Sequence, residues 1–317
     1  MPSFSFSVSL PVWGGDRAET VRVNRRAFLI GAGAVLLAGC AKSEPVVSSS
    51  ASPSAGPSAS ASVAPTIAAE NSATGALLGA LLAGAGAKAG SAATVVAAGD
   101  DWLDALGAGR VAAVPIWAMT VWGQLSDDEE PPADVLSDLA GLVGDSVRVL
   151  TPGPTDGGLV WMAARGAPVT SLDELGRFGA GKKAAVAALA VDRSDGMGAL
   201  NAIYRTNFSA LVQDDPLLRA QAVAGGQAAI GAFRKTENVG DAAVSALADP
   251  DKVCSPDQLV LAVNASFAEQ RPQATLALNA VIQALNNDQL IDLQRQVIAQ
   301  NSVDTVAAAW LTAHGLG

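Results

Sequence analysis

Residues 110–124 read Arg-Val-Ala-Ala-Val-Pro-Ile-Trp-Ala-Met-Thr-Val-Trp-Gly-Gln, an apolar run that passes into a second pattern with no turn residues between. Arg110 to Pro115 has the short, continuous apolar character of a buried strand, and from Trp117 to Gln124 the spacing becomes helical. The same unit recurs on both sides. Upstream, leucines at 77, 78, 81 and 82 predict a helix over Glu70 to Gly86, Val95-Val96 a strand, and Asp100 to Leu106 a short helix. Downstream, Ala133 to Leu142 reads as helix and Ser146 to Leu150 as strand, and Gly-Pro-Thr-Asp-Gly-Gly at 153–158 marks a crossing. Strands are then predicted at Leu159 to Ala164, Lys183 to Leu189, Ala228 to Phe233 and Gln258 to Val263. Helices are predicted from the capping box Ser171-Leu172-Asp173-Glu174, over Met197 to Phe208, over Asp215 to Gly225, and almost throughout from Pro272 onward. Strands alternating with helices predict an α/β protein with mostly parallel sheets.

The chain has 317 residues, half of them hydrophobic, with formal net charge −10. Its basic residues form no cluster beyond the N-terminal segment, which argues against nucleic-acid binding. Gly75 to Ala98 is interrupted by Lys88 and rich in Gly and Ala, so it reads as helix then strand and not as a membrane span.

The N-terminal segment has its own logic. Arg25-Arg26-Ala27-Phe28-Leu29 resembles the twin-arginine export motif, with Asn24 where that motif prefers Ser or Thr. Ala27 to Gly39 is apolar but shorter than the roughly 20 residues a bilayer requires, which suits a cleaved signal. Leu37-Ala38-Gly39-Cys40 resembles the bacterial lipobox, implying a lipid on Cys40 and a chain tethered at the extracytoplasmic face of the cell membrane. Residues 1–40 are thus expected to be signal. Residues 41–65, rich in Ser, Ala and Pro, are expected to form a disordered linker reaching roughly 25–30 Å. The remaining residues, about 250, suit two lobes better than one core. Cys254 is the other cysteine, so no disulfide is expected.

Catalytic chemistry finds little to work with. The one histidine is His314, near the end of a helical tail. No Gly-x-Ser-x-Gly elbow is present, and one His with a lone Cys254 offers no metal set, so neither enzyme, metal nor cofactor is expected. A tethered hydrolase and a ligand-sensing lipoprotein without a transport role stand as alternatives.

The order of segments from Glu70 to Leu316 resembles the substrate-binding proteins of glycine betaine/choline-type osmoprotectant ABC importers. The resemblance is carried by Glu70, Gly75, Leu77, Leu82 and Gly86; by Ala108-Gly109-Arg110 and Pro115-Ile116-Trp117-Ala118-Met119-Thr120; by Lys235-Thr236-Glu237; by Asp249-Pro250-Asp251-Lys252; and by the tail Val306-Ala307-Ala308-Ala309-Trp310-Leu311-Thr312-Ala313-His314-Gly315-Leu316. It implies a two-lobed, type II periplasmic-binding-protein fold, with lobe one at 66–156 plus 248–317 and lobe two at 157–247. It further implies a monomer that delivers a small polar ligand, a quaternary amine such as glycine betaine or choline, to an ABC permease of the inner membrane. Such ligands sit against aromatic faces because the ring quadrupole attracts a cation with no hydrogen to donate. Trp117 falls on the family's cage aromatic; Trp102, which begins a helix after a Gly-Asp-Asp turn, is a further cleft candidate, and Glu70, Asn71, Asp156, Thr236 and Glu237 fall at lobe edges. The chain departs from the family in lacking its cage tyrosines, with a single tyrosine at 204, and in carrying Ile116 and Arg234-Lys235.

Overall fold

A computed structural model describes residues 64–317 except 129, 180 and 300. The export signal with Arg25, Arg26 and Cys40, and the linker as far as residue 63, lie outside the described residues. Among the described residues the strands form two five-stranded sheets. The first half of the chain supplies β1 (Thr66–Ala69), β2 (Thr94–Ala97), β3 (Ala113–Trp117) and β4 (Val147–Val149). The middle supplies β5 (Leu159–Ala164), β6 (Lys183–Val186), β7 (Ser209–Val212), β8 (Ile230–Arg234) and β9 (Val244–Ala246), and the chain then returns with β10 (Leu259–Asn264).

The two sheets share one topology, β2-β1-β3-β10-β4 and β7-β6-β8-β5-β9. In each, four strands point the same way and the strand that has just crossed from the other sheet, β10 or β5, is wedged antiparallel between its neighbours. The predicted α/β fold with mostly parallel sheets is therefore observed, with one reversed strand per sheet. A strand entering directly from a crossing has no helix to bring it round, so it runs against the strands that helical crossovers lay down in parallel.

Helices cover both sheets. Around the first lie α1 (Ala73–Lys88), α2 (Trp102–Gly107), α3 (Ala118–Leu125) and α4 (Val135–Val143); with the second go α5 (Leu175–Phe178), α6 (Ala188–Asp192), α7 (Met197–Ile203) and α8 (Pro216–Ala224). The tail forms α9 (Ala265–Gln270), α10 (Pro272–Ala284), α11 (Asn287–Ile298) and α12 (Val303–Ala313). α1 shows how sequence becomes element. Ser72 caps it, its hydroxyl accepting from the Gly75 amide at 3.0 Å, and Leu77, Leu78, Leu81 and Leu82 are all buried. They pack with Leu278, Val281 and Ile282 of α10 and with Val306 and Leu311 of α12. Each such side chain contributes about 1.5–3 kcal/mol of burial. Among the described residues no helix is long and apolar enough to cross a membrane.

Several predicted boundaries shift. β1, β7 and β9 are not among the predicted strands, and each is only three or four residues long. The strand expected over Lys183 to Leu189 stops at Val186, and α6 begins at Ala188. The helix expected over Met197 to Phe208 ends at Ile203.

Two stretches, 150–158 and 247–258, carry the chain between sheets and are laced together. Asp156 Oδ1 accepts from the amides of Gly158 and Asp257 at 2.8 Å each, and Oδ2 accepts from Lys235 Nζ at 2.6 Å. Beside them lies a buried ionic cluster. Asp257, with no exposure to solvent, accepts through Oδ1 from the amides of Met119 (2.8 Å) and Thr120 (3.2 Å), and through Oδ2 from the Thr120 hydroxyl at 2.5 Å. Arg193, from the loop after α6, reaches across to Asp257 Oδ2 at 2.8 Å and to Thr120 Oγ1 at 2.7 Å. It also grips Asp195 with two bonds, at 2.7 and 2.9 Å. Burial works against a charged Arg193, but the carboxylates of Asp195 and Asp257 outweigh it and hold the guanidinium charged.

Three substitutions test this packing. Gly75→Ala places a Cβ 1.9 Å from the Glu70 carbonyl oxygen, and overpacking of that kind costs about 1–3 kcal/mol. Gly141→Ala in α4 meets nothing within 4 Å and stabilises by about 0.5–1 kcal/mol. Urea denaturation of the two variants shows shifts of opposite sign. Arg193→Met strips buried carboxylates of their main partner and lowers stability by about 3–5 kcal/mol; a loss under about 1 kcal/mol in the same measurement shows that the cluster does not join the sheets.

Candidate functional site

The first sheet opens where β1 and β3 part. They pair at Ile67 opposite Ala113, and Pro115, two residues on, has no N–H with which to extend the pairing. Open α/β sheets take ligands outside the carboxyl ends of strands that diverge in this way. β1 runs out into Glu70 and Asn71, and β3 into Trp117. Facing them are the carboxyl ends of the second sheet: Ala187 and Leu189 after β6, Asp214 and Asp215 after β7, and Arg234, Thr236 and Glu237 at and after β8.

These ends enclose two adjoining cavities. One, of about 490 Å³, is lined by residues that include Glu70, Asn71, Thr74, Trp117, Leu189, Asp214, Asp215, Arg234, Thr236, Glu237 and Gln294. The other, of about 420 Å³, adds Asp100, Trp102, Ile116, Thr120 and Gln124. Both share Glu70, Asn71, Trp117, Leu189 and Arg234. A larger groove of about 660 Å³ lies between α1, β2 and α12, but its walls are mostly Ala, Gly, Val and Leu. It is bounded by the first sheet's elements alone, so the paired cavities, where polar groups of both sheets converge, are the better site.

Six of the seven expected ligand residues meet there. Trp117 is 7% exposed and lies in both cavities; Gly157 packs against its ring so closely that a Cβ would fall 2.6 Å from Cε3 and Cζ3. Only glycine permits that approach. The Arg234 guanidinium lies over the Trp117 ring, with Cζ 4.9 Å from the centroid. Glu70 and Asn71 form the rim above Ser72. Trp102 opens α2 and lines the smaller cavity. Thr236 is buried, its carbonyl accepting from Gln294 Nε2 at 3.0 Å, and Gln294 also reaches Thr74 Oγ1 at 3.2 Å. Glu237 is held by a short ion pair to Arg219 and by the Arg234 amide at 3.0 Å.

Asp156 lines neither cavity. It serves the crossings: burial raises its carboxyl, but Lys235 and the amides of Asp257 and Gly158 hold it below the usual value. Other aromatic side chains are occupied elsewhere. Trp161 and Tyr204 lie in the core of the second sheet, Trp122 donates to Asp138 at 2.7 Å, and His314 stacks on Trp310 at 4.1 Å between centroids. Burial and nearby Asp249 push the Cys254 thiol up to about 12, so it stays protonated and unreactive at neutral pH.

Sequence reading missed Asp214, Asp215, Leu189 and Gln294. The first two follow β7, a strand that periodicity does not mark; Leu189 falls inside a segment read as strand. Asp214 and Asp215 already serve the backbone, accepting from the amides of Ala188 at 2.8 Å and of Leu217 and Leu218 at 2.8 and 3.0 Å.

The geometry agrees with what the chain resembles. Among solved structures, that of a glycine betaine/carnitine/choline ABC transporter protein superposes with a TM-score of 0.64 at 13% identity, over 80% of this chain and 99% of the other. Apo YehZ from Escherichia coli gives 0.62 at 19% identity, over 80% and 100%. Lactococcal OpuAC, closed on glycine betaine, gives 0.59 at 11% identity, over 79% and 95%. At these identities the likeness shows the fold alone. No curated protein matches the sequence. A family description, the substrate-binding domain of ABC-type glycine betaine transport systems, matches residues 64–313. With two sheets of the type II binding-protein order and the match spanning nearly all described residues, the chain belongs to that family of substrate-binding domains.

Proposed function

We propose that this protein is the extracytoplasmic receptor of an ABC importer and that it binds a small polar solute in the paired cavities. The observation that carries the reading is the convergence of polar side chains from the carboxyl ends of both sheets on one space. A solute touching Asn71 on one side and Thr236 on the other is bound best when the sheets are closest, so binding and closure are one equilibrium. The lobes in this reading are 66–156 with 248–317, and 157–247, each built on one sheet.

Glycine betaine, carnitine and choline, which the relatives' names specify, are the reference solutes. In this reading Trp117 is the ring on which an ammonium group of that kind would sit, and in this chain the Arg234 guanidinium lies over it. The tether belongs to the same proposal: twin-arginine export, a lipid on Cys40 and a linker that keeps the receptor beside its permease.

Thermal denaturation with a panel of amines, amino acids and polyols identifies the solute, since a ligand at 100 times its Kd stabilises by about 2.7 kcal/mol. Asn71→Ala and Thr236→Val, on opposite sheets, are each expected to weaken its binding at least tenfold, or about 1.4 kcal/mol. A solute whose affinity neither variant changes binds somewhere else. For the tether, radiolabelled palmitate is expected to enter the native protein in cells and not Cys40→Ala; equal labelling of both removes the lipid from the account.

A further inference from the structure

Resting on the cleft being the solute site, we infer that Arg234 determines which solutes it admits. The guanidinium fills the place on Trp117 that a quaternary ammonium group would need. A cation within about 6 Å of an aromatic centroid is in the attractive field of the ring, and Arg234 Cζ stands at 4.9 Å. Arg234 is the last residue of β8, so its backbone is fixed by the sheet. Its side chain is anchored as well: Nη1 donates to Asp257 Oδ2 and Nη2 to Thr120 Oγ1, both at 3.3 Å.

That anchor is asymmetric in its consequences. Asp257 is fully buried and gains from every cation it can hold, so the guanidinium has a reason to stay on the ring. A second, non-donating cation at the same place meets like charge and finds its aromatic surface taken. Beyond Trp117 the cavity linings include one further ring, Trp102 in the smaller cavity, while Tyr204, the chain's one tyrosine, is packed in the second sheet's core. Arg193 also holds Asp257, and more closely, at 2.8 Å. Losing Arg234 therefore leaves the carboxylate paired, and the variant retains its fold.

The test titrates the purified chain with tetramethylammonium, choline and glycine betaine, following tryptophan fluorescence and heat. Native protein is expected to show no saturable binding up to about 10 mM, whereas Arg234→Met binds at least one of the three with a Kd at least about tenfold lower. Adding Trp117→Ala to Arg234→Met is expected to abolish the gain. Arg234→Gln, which drops the charge and ends in a shorter polar side chain, gives the same gain and guards against a methionine that collapses onto the ring. Native protein that binds these cations as well as Arg234→Met does overturns the inference, as does a folded pair of variants that gains nothing. Solutes without a quaternary nitrogen, titrated into native protein, judge the receptor reading separately: they bind or fail whatever Arg234 excludes.

Discussion

A carboxylate sealed from water, Asp257, is the constraint on which the rest of this structure turns. An isolated buried charge is costly enough that it must be neutralised or paired. Asp257 is paired with groups from both halves of the molecule: two amides and a hydroxyl at the start of α3, and the guanidinium groups of Arg193 and Arg234 from the segment built on the second sheet. Meeting its demand draws the carboxyl end of β8 toward the carboxyl end of β3. Trp117 and Arg234 come into contact as a consequence, so the chemistry of the cleft is set partly by the electrostatics of the joint.

Topology supplies the space around that joint. In the first sheet β1 and β3, and in the second β6 and β8, lie side by side although another strand separates them in the chain, so the strand order reverses there and a crevice opens outside the carboxyl ends. In the first sheet Pro115 enforces the parting, because it cannot donate to a neighbouring strand. Two crossings, tied to each other where Asp156 accepts from the Asp257 amide, then turn the open ends of the sheets toward each other. Polar residues that follow strands in sequence thereby become the walls of one cleft, although they come from segments far apart in the chain.

How much of this is legible in the sequence depends on the range of the interaction. Leu77, Leu78, Leu81 and Leu82 announce α1 because burial repeats with the helical period, and Leu159 to Ala164 announces β5 because alternate residues are buried. The strands β1, β7 and β9 leave no such trace: Thr-Ile-Ala-Ala, Ser-Ala-Leu-Val and Val-Ser-Ala are too short for a period to register. At the site, resemblance points to Trp117, Trp102, Glu70, Asn71, Thr236 and Glu237, and all six line the cleft. It points also to Asp156, which serves the crossings instead. What no local pattern reveals is pairing. Arg234 reads as a departure from the family, but which ring or carboxylate it meets is decided by how two sheets are joined.

The central claim is that both sheets grip one solute. Hydrogen exchange of the purified protein, with and without the solute that gives the largest thermal stabilisation, tests it most directly. The solute is expected to slow exchange together at residues 70–75, which follow β1, and at residues 187–189 and 235–238, which follow β6 and β8 in the other sheet. Protection at the end of one sheet, with the other unchanged at saturating solute, would contradict it.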